Sequence, residues 1–256
     1  MHLNLQGSPL PQDKSLNASA NLRIGITGAT GSLGTSLIKR LRAKGAFVIG
    51  LTHQSIEKYQ QSPSKESPNE WIQWECGQEA KLGKVLETLD ILILNHGINP
   101  GRDIKNTTLN KVLEINALST WRLLESFEKI ALSKKSNRGA KEIWINTSEA
   151  EVQPALSPGY ELSKRLIGQL ISLKWASQTN KEKSSLKIRK LILGPFRSKL
   201  NPIGIMNPDL VANQILNQII LNSSLIIVTP NPLTFLLVPL NELARFIYFK
   251  LLKSEI

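Results

Sequence analysis

Two residue patterns in this sequence could do chemistry, and the first pairs a tyrosine with a lysine. Tyr160 and Lys164 stand four residues apart in a segment of helical periodicity, so a helix would place both side chains on one face. A phenol with a pKa of about 10 is a poor proton carrier at neutral pH, and a nearby ammonium favours its ionised form. The pair predicts a general acid–base centre, and two unconnected surface side chains are the alternative.

A glycine-rich turn forms the second pattern. Gly28, Gly31 and Gly34 lie between a short apolar run and a segment of helical periodicity. This order suits a dinucleotide-binding turn, in which the glycines bend the chain, admit a pyrophosphate to the helix N-terminus and let helix and strand pack. A merely structural turn is the alternative. The other residues of the turn expected at the dinucleotide are Thr30, Ser32 and Leu33.

The end of the second apolar run indicates which dinucleotide binds. A carboxylate there would bind the ribose of NAD and repel the 2′-phosphate of NADP. Residues 51–55 contain no acidic residue, and Thr52 and His53 offer hydrogen-bond donors. This favours NADP(H). NAD(H) is the alternative, because the same residues contain no Arg or Lys that would pair with a phosphate.

The elements that must position these residues alternate along the chain. Apolar runs typical of buried parallel strands are 22–27, 46–51, 71–75, 90–95, 142–147, 186–193 and 225–229. Segments of helical periodicity are 32–44, 79–89, 109–133, 158–176, 209–221 and 233–253, the last with a break or kink at Pro239. The polar stretch 54–70 is predicted to be a surface loop. This alternation predicts a parallel sheet covered by helices on both faces.

Composition and charge exclude several classes of protein. Apolar residues make up 41% of the chain and charged residues 20%, which excludes a fully disordered protein. One cysteine and three scattered histidines exclude an internal disulfide and a Cys/His zinc site. A net charge of +12 raises a nucleic-acid hypothesis, but the densest basic stretch, 181–190, has no interleaved aromatic residues. We expect a solvated lysine-rich face there and no nucleic-acid partner.

Both ends of the chain are interpreted as accessory segments. Residues 1–20 lack the apolar region of a signal peptide and are predicted to be a flexible lead, with one domain over 21–256. Residues 210–241 carry no charge, but amides and prolines interrupt them too often for a membrane span. We therefore expect a cytoplasmic protein. The apolar helix 233–253 has three interpretations: packing on the core, a subunit interface, or a helix lying on a membrane surface.

Together, these motifs resemble those of the short-chain dehydrogenase/reductase family, over most of the chain. The resemblance rests on the glycine turn, the Tyr160–Lys164 pair, Asn95-His96-Gly97, Asn116, Ser148 and Gly194-Pro195. Two stretches, WINTSEAEVQPALSPGYELSKR and IRKLILGPFRSKLNPIGIM, look more specifically like the reductase part of bifunctional sterol desaturase/short-chain dehydrogenase proteins. The sequence contains no histidine-rich boxes of the kind a desaturase needs.

The resemblance implies a role for each of these residues. Tyr160 would exchange a proton with the substrate oxygen, while Lys164 would lower the pKa of that phenol and hold the nicotinamide ribose. Ser148 would bind the substrate oxygen unless it only caps a turn, and Asn116 would position a water unless it is a buried amide bonded to backbone. The remaining residues expected at the cofactor are Cys76 (better suited to packing), Asn95 (which ties strands together), His96 (which contacts adenosine or only packs), Gly97, Gly194 and Pro195.

We predict a single-domain Rossmann fold, a doubly wound parallel sheet of about seven strands in the order 3-2-1-4-5-6-7 with helices on both faces. The predicted function is hydride transfer between NAD(P)(H) and a carbonyl or secondary alcohol. The expected substrate lid, 196–206, is short, which favours an open pocket and a bulky or lipid-like substrate. A homodimer or homotetramer is expected, with peripheral membrane contact through the last helix. The alternatives are a non-catalytic nucleotide sensor and an NAD-retaining epimerase or dehydratase, although the chain lacks a long substrate domain.

Overall fold

A computed structural model describes residues 21–60, 64, 66–133 and 140–252. The predicted flexible lead, 1–20, lies outside the described residues. Seven parallel strands form one sheet in the order β3-β2-β1-β4-β5-β6-β7, which confirms the predicted order. Their bounds are β1 Arg23–Thr27, β2 Phe47–Thr52, β3 Glu70–Gln73, β4 Ile91–Leu94, β5 Lys141–Asn146, β6 Leu186–Leu193 and β7 Leu225–Val228.

Helices cover both faces of this sheet, as a doubly wound fold requires. Leu37 and Val211 belong to the core on one face, and Phe127 and Ile167 to the core on the other. The helices are α1 Ser32–Ala43, α2 Glu57–Gln60, α3 Gly83–Thr88, α4 Asn106–Leu113, α5 Ser119–Ser133, α6 Pro158–Ser177, α7 Asn180–Ser185, α8 Pro208–Ile220 and α9 Pro232–Leu252. A π-helical turn, Glu114–Leu118, joins α4 to α5.

Three local features differ from the sequence-based expectation. The short helix α2 lies inside the predicted loop 54–70, and α7 was not predicted at all. Thr179 and Glu182 form a reciprocal capping box at the start of α7, which explains how such a polar segment becomes helical. Helix α9 continues through Pro239, so of the predicted break or kink the break is absent.

The basic stretch 181–190 is not a uniformly solvated face, and this corrects our expectation. Lys181 and Lys183 are exposed on α7, but Arg189 and Lys190 lie on the inner strand β6, between β5 and β7, and are almost completely buried. Arg189 donates to the Glu142 carboxylate through Nε at 2.8 Å and through Nη2 at 2.9 Å. A strand buried on both faces must pair each charge it carries with an internal partner, and these cations have such partners.

Helix α9 packs on the domain by a narrow stripe. Thr234 and Val238 are buried, and the carboxylate of Glu242 reaches inward to Lys190 at 2.8 Å. Much of the remaining helix surface consists of exposed apolar side chains, including Leu233, Leu236 and Leu240. Among the described residues, no helix combines the length and the apolar character needed to cross a bilayer.

Candidate active site

The glycine turn between β1 and α1 adopts a conformation that depends on its glycines. Gly28 has a φ of +63°, and a Cβ at this position would lie 2.8 Å from the carbonyl oxygen of Asn95. A Cβ on Gly34 would lie 2.4 Å from the Gly28 carbonyl oxygen. The Gly31 amide donates to that same carbonyl at 3.0 Å and closes the turn. Backbone therefore packs against backbone, as the sequence pattern predicted.

The N-terminus of α1 is suited to an anion. No side chain caps it, and its first turn contains no acidic residue, so its amide groups and the positive end of its dipole are available to an anion, although Glu66 and Asp209 line the neighbouring cavity. Thr30 and Ser32 line a cavity of about 380 Å³ beside this turn. Leu33 is buried in the core, so only its backbone could contact a ligand. These features fit the pyrophosphate of a dinucleotide.

The carboxyl ends of β1, β4 and β5 are tied together by a polar chain. The Thr27 hydroxyl accepts from the Asn95 amide at 2.9 Å and lies 2.8 Å from Nδ1 of His96. Asn146 donates through Nδ2 to Oδ1 of Asn95 at 2.9 Å. Asn95 therefore ties strands together, as we predicted. These hydrogen-bonded residues also fix the position of Lys164, because Nζ of Lys164 donates to the Asn146 carbonyl at 3.0 Å.

His96 has an unusual environment. Its Nε2 is buried and has no hydrogen-bond partner among the described residues, and its ring meets Trp74 edge-on. Burial, helped by the charge of Lys164, lowers the pKa of His96 to about 4, so the ring is neutral at pH 7. A buried ring nitrogen without a partner costs free energy unless a ligand satisfies it. This atom is therefore a suitable contact for the adenosine part of a dinucleotide.

The residues expected at the adenine end lie at the carboxyl ends of β2 and β3. Thr52 is buried and its hydroxyl accepts from the Gln54 amide at 3.2 Å, whereas His53 is exposed. Cys76 packs on the core, as expected, and burial raises the pKa of its thiol. The turn after Cys76 is fixed by Glu79, which accepts from the Gly77 amide at 2.8 Å.

The Tyr160–Lys164 pair is present near the start of α6. Nζ of Lys164 lies 5.6 Å from the centroid of the Tyr160 ring, and the lysine is almost completely buried. Burial lowers the pKa of Lys164 to about 8, while the charge of Glu151 acts to raise it. The lysine is thus an ammonium at neutral pH, beside the phenol that it was predicted to accompany.

The pKa of Tyr160 differs from our expectation of a lowered value. Burial raises the pKa of the phenol, a hydrogen bond with Ser148 acts to lower it, and the charge of Glu149 acts to raise it further. Ser148 also caps the 3-10 turn Glu149–Glu151, accepting from the Ala150 amide at 3.2 Å. The serine therefore has the capping role that the sequence analysis gave as the alternative, and it also lies at the phenol; its binding of the substrate oxygen stays a prediction.

Asn116 lies in the π-helical turn between α4 and α5 and is buried. Its Oδ1 accepts from the Ile98 amide at 2.8 Å, and its Nδ2 donates to the Ile98 carbonyl and to the Ser163 hydroxyl, both at 2.9 Å. A Cβ on Gly97 would lie 3.1 Å from that Oδ1. Asn116 is therefore a buried amide bonded to backbone, which anchors the loop after β4 to the site, and its positioning of a water stays a prediction.

A buried ionic cluster behind the site was not found by sequence reasoning. Lys190 is fully buried and contacts Glu151 at 2.6 Å and Glu242 at 2.8 Å, and it donates to the Gly168 carbonyl at 3.0 Å. A Cβ on Gly168 would lie 2.0 Å from the Glu151 carboxylate. The residues of this cluster lie far apart in sequence, so no local spacing predicts that they meet.

The loop after β6 begins at Gly194 and Pro195. A Cβ on Gly194 would lie 2.4 Å from the Thr229 hydroxyl, so the glycine lets β6 approach the segment after β7. The Pro195 carbonyl accepts from the Ile205 amide at 2.9 Å. These two residues close the short loop that follows and bring its ends together. They lie at the same sheet edge as the pair on α6, because all seven strands are parallel.

Comparison with known proteins gives one family match and one informative relative. The model of the "NAD dependent epimerase/dehydratase family" matches residues 24–183. A protein of Synechocystis sp. named monoglucosyldiacylglycerol epimerase is 41% identical over 243 residues, which is 93% of this chain. The chain spans 57% of that relative's length. This relative is named an epimerase, which corrects the closer resemblance to sterol desaturase/short-chain dehydrogenase proteins that the two sequence stretches suggested.

Solved structures support the fold. A short-chain dehydrogenase from Sphingobium yanoikuyae in complex with NADPH has a TM-score of 0.69 at 14% identity, covering 82% of this chain and 88% of its own. An alcohol dehydrogenase from Thermococcus sibiricus complexed with 5-hydroxy-NADP has a TM-score of 0.65 at 15% identity, covering 82% of this chain and 95% of its own. At such identities the likeness shows the fold alone.

Proposed function

The chain belongs to the NAD dependent epimerase/dehydratase family, and we propose that it is an epimerase that inverts one hydroxyl-bearing carbon in the sugar of a glycosyl diacylglycerol. Support comes from the relative named a monoglucosyldiacylglycerol epimerase, 41% identical over 93% of this chain. Because the chain spans 57% of that relative, the proposal needs a site within these residues that can do the chemistry.

The observation that carries the proposal is the Tyr160–Lys164 pair, with its ammonium 5.6 Å from the phenol ring at the same sheet edge as the glycine turn. When bound, the dinucleotide would accept a hydride from the sugar carbon and return it to the opposite face of that carbon. The net reaction is neither an oxidation nor a reduction. Because the 41% identical relative is named an epimerase, we rank the epimerase above the oxidoreductase that the sequence favoured, which would exchange its dinucleotide after each turnover.

Within that reaction, the residues of this chain handle the proton. Tyr160 takes the hydroxyl proton as the carbon loses its hydride, and gives it back when the hydride returns. One C–H and one O–H bond break and both re-form, so atoms and electrons balance. The ammonium of Lys164 stabilises the phenolate, which burial and Glu149 disfavour. The Ser148 hydroxyl holds the sugar oxygen while charge develops on it.

The turn between β1 and α1 would hold the dinucleotide through backbone amides, with Nε2 of His96 at the adenosine. The missing carboxylate at 51–55 supports NADP(H), and the family description supports NAD(H). Fluorescence titration of the purified protein with NADH and with NADPH decides between them. We expect the preferred form to remain bound through gel filtration, because an epimerase reuses the same molecule.

The deciding experiment follows deuterium. Monoglucosyldiacylglycerol carrying deuterium on its ring carbons is incubated in vesicles with the purified protein and a small amount of dinucleotide. We expect an epimeric sugar that keeps all its deuterium, without build-up of reduced dinucleotide. Tyr160→Phe should lower turnover by about 10²–10⁴-fold and leave dinucleotide binding nearly unchanged. Tyr248→Phe, at an exposed position on α9, is the matched control and should keep full activity.

A net dehydrogenase would give the opposite result. Deuterium would then move to the dinucleotide, reduced cofactor would accumulate in proportion to product, and a keto sugar would be recovered. That outcome would replace the epimerase by the oxidoreductase that acts on a lipid-like alcohol. A fully active Tyr160→Phe variant would contradict both enzymes, because each uses this phenol for its proton.

A further inference from the structure

Exposed apolar side chains lie in the segments that follow the carboxyl ends of the strands, the end of the sheet that carries the site. They follow β4, β5, β6 and β7 in turn, and between 47% and 78% of each is exposed. We call this set the rim, and its members are Ile104, Leu156, Leu200, Ile203, Ile205 and Leu233. Five of the six lie in the loops after β4, β5 and β6, and Leu233 lies in the first turn of α9, so all follow the carboxyl ends of parallel strands. Exposed apolar residues gathered at one end of a sheet indicate an interaction site.

The longest of these loops holds its apolar side chains outward. The Arg197 amide donates to the Met206 carbonyl at 2.9 Å, and a Cβ on Gly204 would lie 2.2 Å from the backbone of Phe196. Asn99 donates through Nδ2 to the Leu200 carbonyl at 3.3 Å, which joins this loop to the one after β4. The loop is therefore closed by its own backbone contacts, and Leu200, Ile203 and Ile205 are exposed on it.

Cations are interspersed with the rim. Arg102 and Lys105 flank Ile104, and Arg197 and Lys199 precede Leu200. All four are exposed, and none forms an ion pair within the part of the chain that the structure describes. Asp103 is the one acidic residue among 98–105 and 195–206. Exposed apolar residues with cations beside them complement an anionic bilayer, because its headgroups are negatively charged and the acyl region beneath them is apolar.

We propose that the rim docks on the surface of an anionic lipid bilayer and brings a lipid headgroup directly to Tyr160. The proposal rests on the proposed function only in the choice of a lipid substrate; docking itself needs no turnover. A second copy of the chain on the same rim would close the site against its substrate. A bilayer instead presents the substrate at that opening, while its acyl chains stay in the membrane.

The first test is vesicle flotation of the full chain. We expect wild type to float with vesicles of phosphatidylcholine and phosphatidylglycerol, more weakly at high salt, and weakly with phosphatidylcholine alone. Arg197→Gln with Lys199→Gln should weaken binding by roughly 10- to 30-fold, since each cation near an anionic surface contributes roughly fivefold. Lys181→Gln with Lys183→Gln, exposed on α7 at the opposite sheet edge, is the matched control and should bind like wild type.

The apolar part of the rim has its own pair of variants. Leu156→Ser, Ile203→Ser and Ile205→Ser combined should lower vesicle binding by at least tenfold. Leu221→Ser is the matched control, because this residue is 78% exposed, like Ile203, but lies at the end of α8, away from the rim. Circular dichroism of each variant verifies the fold. Equal binding by the rim variant and wild type would overturn the proposal.

Two further measurements separate this proposal from the proposed function. On a water-soluble alkyl glucoside the single variant Leu156→Ser, which lies outside the loop 196–206, should turn over like wild type, and on vesicle substrate it should lose activity in parallel with binding. Wild type that is active on the glucoside but binds no vesicles would overturn the docking and leave the epimerase standing. Gel filtration in which wild type is a dimer and the rim variants are monomers would assign the rim to a second copy and also overturn it.

Discussion

The two halves of the sheet use charged and apolar side chains in opposite ways. Around β1, β2 and β4, apolar side chains fill the core, and the glycine turn closes against backbone. Around β5 and β6 the interior holds four almost completely buried cations, while the loops at the carboxyl edge expose apolar side chains. The cations are Lys141, Lys164, Arg189 and Lys190. In the function proposed above, the first half would hold the dinucleotide and the second would contact the substrate.

This difference teaches how each half is stabilised. Backbone packing at Gly28 and Gly34 depends on the absence of side chains, so steric fit determines the conformation of the turn. The cluster of Lys190, Glu151 and Glu242 depends on complete charge pairing, because an isolated charge in a low-dielectric interior is strongly unfavourable. Breaking the first should affect ligand affinity, whereas breaking the second should affect the free energy of unfolding.

The largest effect is expected from Lys190→Met. Removing this ammonium leaves the Glu151 and Glu242 carboxylates buried without a cation, and we expect a loss of about 3–5 kcal/mol in the free energy of unfolding at pH 7. Urea unfolding followed by circular dichroism measures it. The exposed Lys183→Met should change stability by less than about 0.5 kcal/mol.

A rescue variant sharpens the comparison. Changing Lys190, Glu151 and Glu242 to methionine together removes all three charges, and most of the lost stability should return. If Lys190→Met unfolds at the same urea concentration as wild type, the cluster does not hold the second half together. If the triple variant is no more stable than the single one, packing rather than charge pairing dominates.

A smaller effect is expected from Gly34→Ala. The new methyl group would lie 2.4 Å from the Gly28 carbonyl oxygen, so the turn must shift. We expect dinucleotide affinity to fall by about 10- to 100-fold, which is about 1.4–2.8 kcal/mol, with little change in unfolding. Gly83→Ala is the matched control, since no atom lies within 4 Å of its new methyl group. Unchanged affinity for NADH and NADPH in Gly34→Ala would contradict the steric account.

The effect that is smallest over any one pH unit concerns Lys164. Its pKa is lowered to about 8 by burial from 10.5, so above pH 8 the folded protein loses a proton that the unfolded chain keeps. Stability should therefore rise with pH relative to Lys164→Met, by at most about 1.4 kcal/mol per pH unit between pH 8 and 10.5. Below pH 8 the difference in the free energy of unfolding between wild type and Lys164→Met should be constant. A difference that stays flat or falls above pH 8 would contradict the lowered pKa.

The sequence was informative wherever the signal is local. The strand positions, the glycine turn and the four-residue spacing of Tyr160 and Lys164 follow from short-range pattern, whereas the strand order came with the Rossmann fold that the family resemblance implies; the structure contains each of them. The π-helical turn that carries Asn116 was missed because periodicity over 109–133 is uninterrupted. The burial of Lys190 was missed because its partners lie 39 residues before it and 52 after it, at Glu151 and Glu242. Long-range pairing of charges leaves no trace in a window of ten residues.

The contact between Gly168 and Glu151 constrains how this protein can diverge. A methyl group on residue 168 would occupy the space of the carboxylate at 151, at a separation of 2.0 Å. A descendant with a larger residue at 168 must therefore move, shorten or lose the acid at 151, and each of these changes alters its pairing with Lys190. These four positions should vary as a set among descendants, so an alignment of them would display covariation that no single site predicts.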